Sequence, residues 1–197
     1  DYGHGGGIYI TGQALVENNV IQDNEAKGIA GDGLGGGAYL SGNSSIIFRE
    51  NSVTGNLAYG VLGGRGGGLW VSGDNVTIQD NIIQRNSASG GSNYYGGGGI
   101  YLVSDGTLIN NILTDNTVSD SVTKGSGMTI LGASPTLYHT TIAGNTGGDS
   151  AGVYVRGGSE PGQPTLYNTI IANQIVGIKV DDDSPQNLAT LYGVLWW

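Results

Sequence analysis

Seven times along this chain a glycine precedes an apolar–x–apolar triplet. The copies are Gly7-Ile8-Tyr9-Ile10, Gly37-Ala38-Tyr39-Leu40, Gly68-Leu69-Trp70-Val71, Gly99-Ile100-Tyr101-Leu102, Gly127-Met128-Thr129-Ile130, Gly152-Val153-Tyr154-Val155 and Gly177-Ile178-Lys179-Val180. Successive glycines are 30, 31, 31, 28, 25 and 25 residues apart. Self-similarity at such a period is the mark of a solenoid, in which each repeat packs only on its neighbours. A second signal shares the period. Asn-x-apolar-x-x-Asn runs from Asn19 to Asn24, Asn51 to Asn56, Asn81 to Asn86, Asn111 to Asn116 and Asn168 to Asn173, and the copy from Thr140 to Asn145 has lost its first Asn.

Within each repeat the apolar residues alternate with period two, and no stretch has the 3.6-residue period of a helix, so the rungs are strands. Runs such as Thr77-Ile78-Gln79 and Thr107-Leu108-Ile109 supply a second strand per coil, and the Asn-x-apolar segment a third. The expected fold is all-β: a right-handed, single-stranded parallel β-helix of about seven coils with three short strands each, forming one domain over residues 1–197. Glycine, at 39 of 197 residues, suits the sharp corners of such a coil.

Side chains alternate faces along a strand. The first and third residues after each anchor glycine therefore point inward and stack along the axis. Asn tolerates left-handed corners, and its amide can bond to turn backbone. Asn19, Asn24, Asn51, Asn56, Asn81, Asn86, Asn111, Asn116, Asn145, Asn168 and Asn173 are accordingly expected to form amide ladders with a structural role. The middle residue of each anchor points outward and reads Tyr9, Tyr39, Trp70, Tyr101, Thr129, Tyr154, Lys179. An aromatic ladder over four adjacent coils, beside the loop pair Tyr94 and Tyr95, is a candidate platform for a polysaccharide. The same residues are also good strand formers that stabilise one another by packing.

The Gly-Gly-apolar anchor paired with apolar-x-x-Asn resembles the polymorphic outer membrane protein type of repeat. More broadly, it resembles the pectate-lyase-like β-helix superfamily. That resemblance covers nearly the whole chain and implies a bacterial protein, secreted or displayed at the cell surface, with roles in adhesion. It also implies a runner-up, because the fold hosts polysaccharide lyases and glycoside hydrolases.

The residues argue little for catalysis. A polygalacturonase-like site resembles Gly3-His4-Gly5 at one end and Asp181-Asp182-Asp183 at the other, some six coils apart. At about 4.8 Å per coil that exceeds the roughly 10 Å allowed between paired carboxylates. For a pectate-lyase-like calcium site, Glu50 and Asp80 share a frame position, with Arg49 and Arg85 nearby, yet calcium wants about 6–8 oxygen ligands. The acidic loop Asp181-Asp182-Asp183 is the better calcium candidate. His4 and His139 are too far apart to pair. The chain is therefore expected to be a non-catalytic scaffold.

A net charge of −9 with only seven Lys and Arg argues against nucleic acid. The absence of cysteine excludes disulfides and thiolate metal sites, and no apolar run is long enough for a membrane-spanning helix. The last repeat stops short of its corner Asn. The chain is therefore expected to be a segment of a longer β-helix, or else to stack end to end with further copies.

Overall fold

A computed structural model describes residues 1–73, 75–91, 96–119 and 124–197. Every regular element in them is a strand, and every strand pairing is parallel and joins one coil to the next. Three sheets hold seven strands each. The anchor sheet runs from Ile8–Ile10 to Val176–Val180, the second from Ala14–Glu17 to Thr190–Tyr192, and the third from Val20–Gln22 to Leu195–Trp196. A fourth sheet of five strands runs from Glu25–Gly28 to Thr146–Gly147. Gly3–His4, Asp32–Leu34 and Gly63–Arg65 form a short fifth sheet.

This corrects the expected count of coils and strands. The complete turn has at least four strands, and about five turns carry that set; the two C-terminal turns keep only three. The cause is the shortening link between the second Asn and the next anchor. After Asn145 it has room for only the two-residue strand Thr146–Gly147, and after Gln174 for none.

The inward positions stack as expected. Val16, Phe48, Ile78, Leu108, Leu137 and Leu166 align in register on the second sheet, and Ile21, Val53, Ile83, Leu113, Ile142 and Ile171 on the third. With the anchor residues, from Leu40 and Leu69 to Val155, they form one continuous apolar core. Each fully buried side chain of this size contributes about 1.5–3 kcal/mol.

Glycine meets two different needs in the coil. Gly5, Gly35, Gly66, Gly97 and Gly125 all have φ between 58° and 67°, where a Cβ is disfavoured. Gly64, in the middle of the strand Gly63–Arg65, answers a different need: a Cβ there would lie 2.0 Å from the Ala58 carbonyl oxygen, so that backbone can approach so closely only where there is no side chain.

Two asparagine ladders lie at the corners flanking the third sheet. In one, Asn19, Asn51, Asn81 and Asn111 follow one another; each backbone N–H donates to the next Asn Oδ1, at 2.9–3.1 Å. In the other, Asn24, Asn56, Asn86, Asn116 and Asn145 do the same at 2.9–3.1 Å. Each buried Nδ2 also reaches back to a carbonyl of the preceding coil, as Asn56 does to Ile21 at 2.9 Å and Asn145 to Leu113 at 3.0 Å. The first ladder continues as buried Thr140 and Thr169.

Asn168 and Asn173 stand outside both ladders. They sit one residue earlier, at left-handed corners with φ of 47° and 52°. In the second ladder the following slot belongs to Gln174. With its amide oriented by its neighbours, Gln174 accepts from Asn145 N–H at 3.0 Å. Asparagine suits both positions, because it tolerates αL and also makes ladders, so the residue type alone does not separate them.

Candidate functional site

The strongest polar and aromatic concentration lies along the outer face of the anchor sheet. The chain entering each left-handed glycine folds back over that face, so the residue before the glycine meets the anchor's middle residue. His4 stacks on Tyr39 at 4.8 Å and on Tyr9 at 6.0 Å. The Arg65 guanidinium lies 5.8 Å from the Tyr101 ring centre, and the Lys124 ammonium 5.5 Å from that of Tyr154. The result is a corner running along the helix axis. One wall is the anchor ladder; the other carries His4, Leu34, Arg65 and Lys124.

The aromatic ladder forms in part. Tyr9 and Tyr39 stack at 5.0 Å, and Tyr39 and Trp70 at 4.3 Å with planes 7° apart. Tyr101 is in register with Trp70, but only 1% of it is exposed. The expectation that every middle residue faces solvent is corrected here: the returning chain covers the face, and Tyr101, Thr129 and Tyr154 are buried. Tyr9, at 55% exposed, is the open end. Stacking has a second consequence. Faces pressed on one another are unavailable to a sugar ring, so the exposed parts of this ladder offer edges and hydroxyls. Tyr94 and Tyr95 lie outside the described residues.

Towards the C-terminal coils the corner turns ionic. Lys179 pairs with Asp149 at 3.3 Å, Tyr154 donates its hydroxyl proton to the Asp181 carboxylate, and Arg156 pairs with Asp183 at 2.5 Å. Burial, with the Asp181 charge, pushes the Tyr154 phenol far above its usual range. The Tyr154 hydrogen bond, supported by the Asp182 N–H, holds Asp181 low. Asp183 is also held low: burial acts against this, but Arg156, the Gly157 N–H and Asn187 together outweigh it. Burial and the neighbouring Lys179 ammonium push Lys124 down.

These contacts bear on the calcium expectation. The Asp181 and Asp183 carboxylates are turned to different donors, Tyr154 and Arg156, and Asp182 is exposed. Among the described residues no three acidic or imidazole side chains converge on one point. Glu50 and Asp80 occupy successive left-handed corners, while Arg49 turns to Glu17 at 2.5 Å. His4 stacks on Tyr9 of the first anchor strand, while Asp181 follows the last one, at the opposite end of the stack.

Two features were not anticipated. Asp32 is buried against Arg65 at 3.1 Å, and burial raises its pKa; its place between glycines in the sequence was the only signal. The second is a further aromatic ladder on the second sheet, where Tyr138, Tyr167 and Tyr192 stack at 5.1 and 4.9 Å. Its signal was the triplet Thr-Leu-Tyr, repeated at 136, 165 and 190.

A family profile described as a right handed beta helix region matches residues 2–191. The chain belongs to that family. No curated protein and no solved structure gives a significant match to it. For this β-helix, membership speaks to the scaffold; the chemistry rests on the corner described above.

Proposed function

We propose that this right-handed β-helix is a non-catalytic scaffold of a bacterial secreted or cell-surface protein, and that it contacts glycans along the anchor-face corner. One observation carries the reading. Polar and aromatic groups lie outside the apolar core at both ends of the anchor face, His4, Tyr9 and Tyr39 at one and Lys179 and Asp181 at the other. Ring edges, phenol hydroxyls and charge pairs that alternate in sign suit the hydroxyl-rich surface of a neutral or weakly charged polysaccharide. Adhesion and end-to-end association of coils belong to the same reading.

A glycan array tests it. A fold-retaining Tyr9→Ala/Tyr39→Ala variant should lose most of the signal shown by the wild type. Equal binding by both, or none by either, defeats the reading.

A second reading is a polysaccharide lyase or hydrolase. It is favoured by the group of Lys124, Tyr154 and Asp181, whose pKa values move apart, because such groups concentrate at catalytic sites. Release of unsaturated or reducing-end products from a polysaccharide panel, with and without calcium, would establish it in place of the first.

A further inference from the structure

The second tyrosine ladder stands on a different face from the proposed glycan corner and has no part in that reading. Tyr138, Tyr167 and Tyr192 end the strands Thr136–Tyr138, Thr165–Tyr167 and Thr190–Tyr192. They are direct register partners on three successive coils. Their ring centres are 5.1 and 4.9 Å apart, with planes 9° and 11° from parallel. Tyr138 is 37% exposed and Tyr192 52%, so both outer members are open to a reagent in solution. We propose that this ladder is a site of oxidative modification, where a one-electron oxidant such as a peroxidase with hydrogen peroxide joins adjacent tyrosines into dityrosine and so staples successive coils.

The chemistry balances. Each of two neighbouring phenols gives up one electron and its hydroxyl proton, leaving two phenoxyl radicals. A carbon–carbon bond forms between the ring positions ortho to oxygen. Each bonded carbon then loses its hydrogen as the phenol is restored. The two electrons and two protons reduce one hydrogen peroxide to two waters. Neighbours held at one-coil spacing supply the proximity that this radical pairing needs. The rings must pivot from stacked to edge-to-edge, which the exposed outer side chains allow.

Two features direct oxidation to this ladder. The protein has no cysteine, and its single methionine, Met128, is fully buried, so the usual sulfur sinks are absent from the surface. The anchor-face ladder, by contrast, ends on Trp70. It offers one adjacent tyrosine pair, Tyr9 and Tyr39, where the second ladder offers two.

The experiment treats the dilute full chain with peroxidase and hydrogen peroxide, then reads dityrosine fluorescence, intact mass and cross-linked peptides. The expected product is monomeric, lighter by two hydrogens per bond, with Tyr167 joined to Tyr138 or Tyr192 and a raised thermal midpoint. Tyr167→Phe keeps the stacked ring and removes the shared phenol, so it should abolish the intramolecular bond. Tyr192→Phe should leave only the link between Tyr138 and Tyr167. Links confined to other tyrosines, bonds only between molecules, oxidation that stops at Trp196 or Trp197, or an undiminished signal in Tyr167→Phe would each overturn the proposal.

Discussion

Asn86 gives both its backbone N–H and its side-chain Nδ2 to a single atom, Asn116 Oδ1, at 3.1 and 3.0 Å. Its own Oδ1 receives the same pair from Asn56 at 3.0 and 2.9 Å. One amide thus satisfies the corner of the coil before it and is satisfied by the coil after it.

Replacing Asn86 with alanine should therefore be costly. It strands the buried Asn56 N–H and the Val53 carbonyl, at about 1–3 kcal/mol for each group left without a partner. Urea unfolding should show a loss of roughly 2–5 kcal/mol. Asn19→Ala, at a half-exposed end of the ladder, should lose much less.

Tyr101 and Tyr9, both on the anchor face, should separate in the same assay. Tyr101→Ala empties a fully covered position and should cost about 3–5 kcal/mol. Tyr9→Ala removes a ring that is more than half exposed, and should stay near or below about 1 kcal/mol. Equal losses would mean that the outer face is not divided as described.

Glycine substitutions should be as uneven. In Gly64→Ala the new methyl would sit 2.0 Å from the Ala58 oxygen and 2.7 Å from the Ser89 nitrogen, both backbone atoms. That variant should fail to accumulate as folded protein. Gly12→Ala meets nothing within 4 Å and should fold with an unchanged circular dichroism spectrum.

Acid should weaken the last coils. Asp181 is held below its unfolded pKa, first by Tyr154, so folding favours its ionised form. That contribution is complete above the unfolded value of about 3.9 and fades as pH falls toward the folded one. Asp183, paired with Arg156, acts in the same direction. Asp32 acts in the opposite one: burial raises its pKa, so its contribution is present in acid and fades as pH rises through the folded value. Unfolding midpoints at pH 6 and pH 3 should fall less in Asp181→Asn than in the wild type. An identical fall would remove Asp181 from the account.

The scaffold was legible because the core repeats the same demand seven times. Inward pairs such as Ile8 and Ile10 or Leu69 and Val71 can be read without knowing the partner coil, since the partner has the same pattern. The outer face was less legible, because exposure there depends on how the linking chain returns. Nothing local to Tyr101 says that Arg65, thirty-six residues earlier, will lie over its ring. The slip at Asn168 and Asn173 has a similar origin. Two adjacent corner positions accept asparagine for different reasons, and only the apolar frame of Ile142 and Ile171 tells them apart.

The corner just before the first asparagine ladder holds Asn18, Glu50, Asp80, Asn110, His139, Asn168 and Gly193, all with φ between 47° and 62°. The backbone is the same seven times, while the side chain is acid, amide, imidazole or hydrogen. Conformation and chemistry are thus uncoupled along this row. Substitutions can accumulate there coil by coil without disturbing the packing beneath, leaving the β-helix one edge whose chemical text can be rewritten while its spine stays the same.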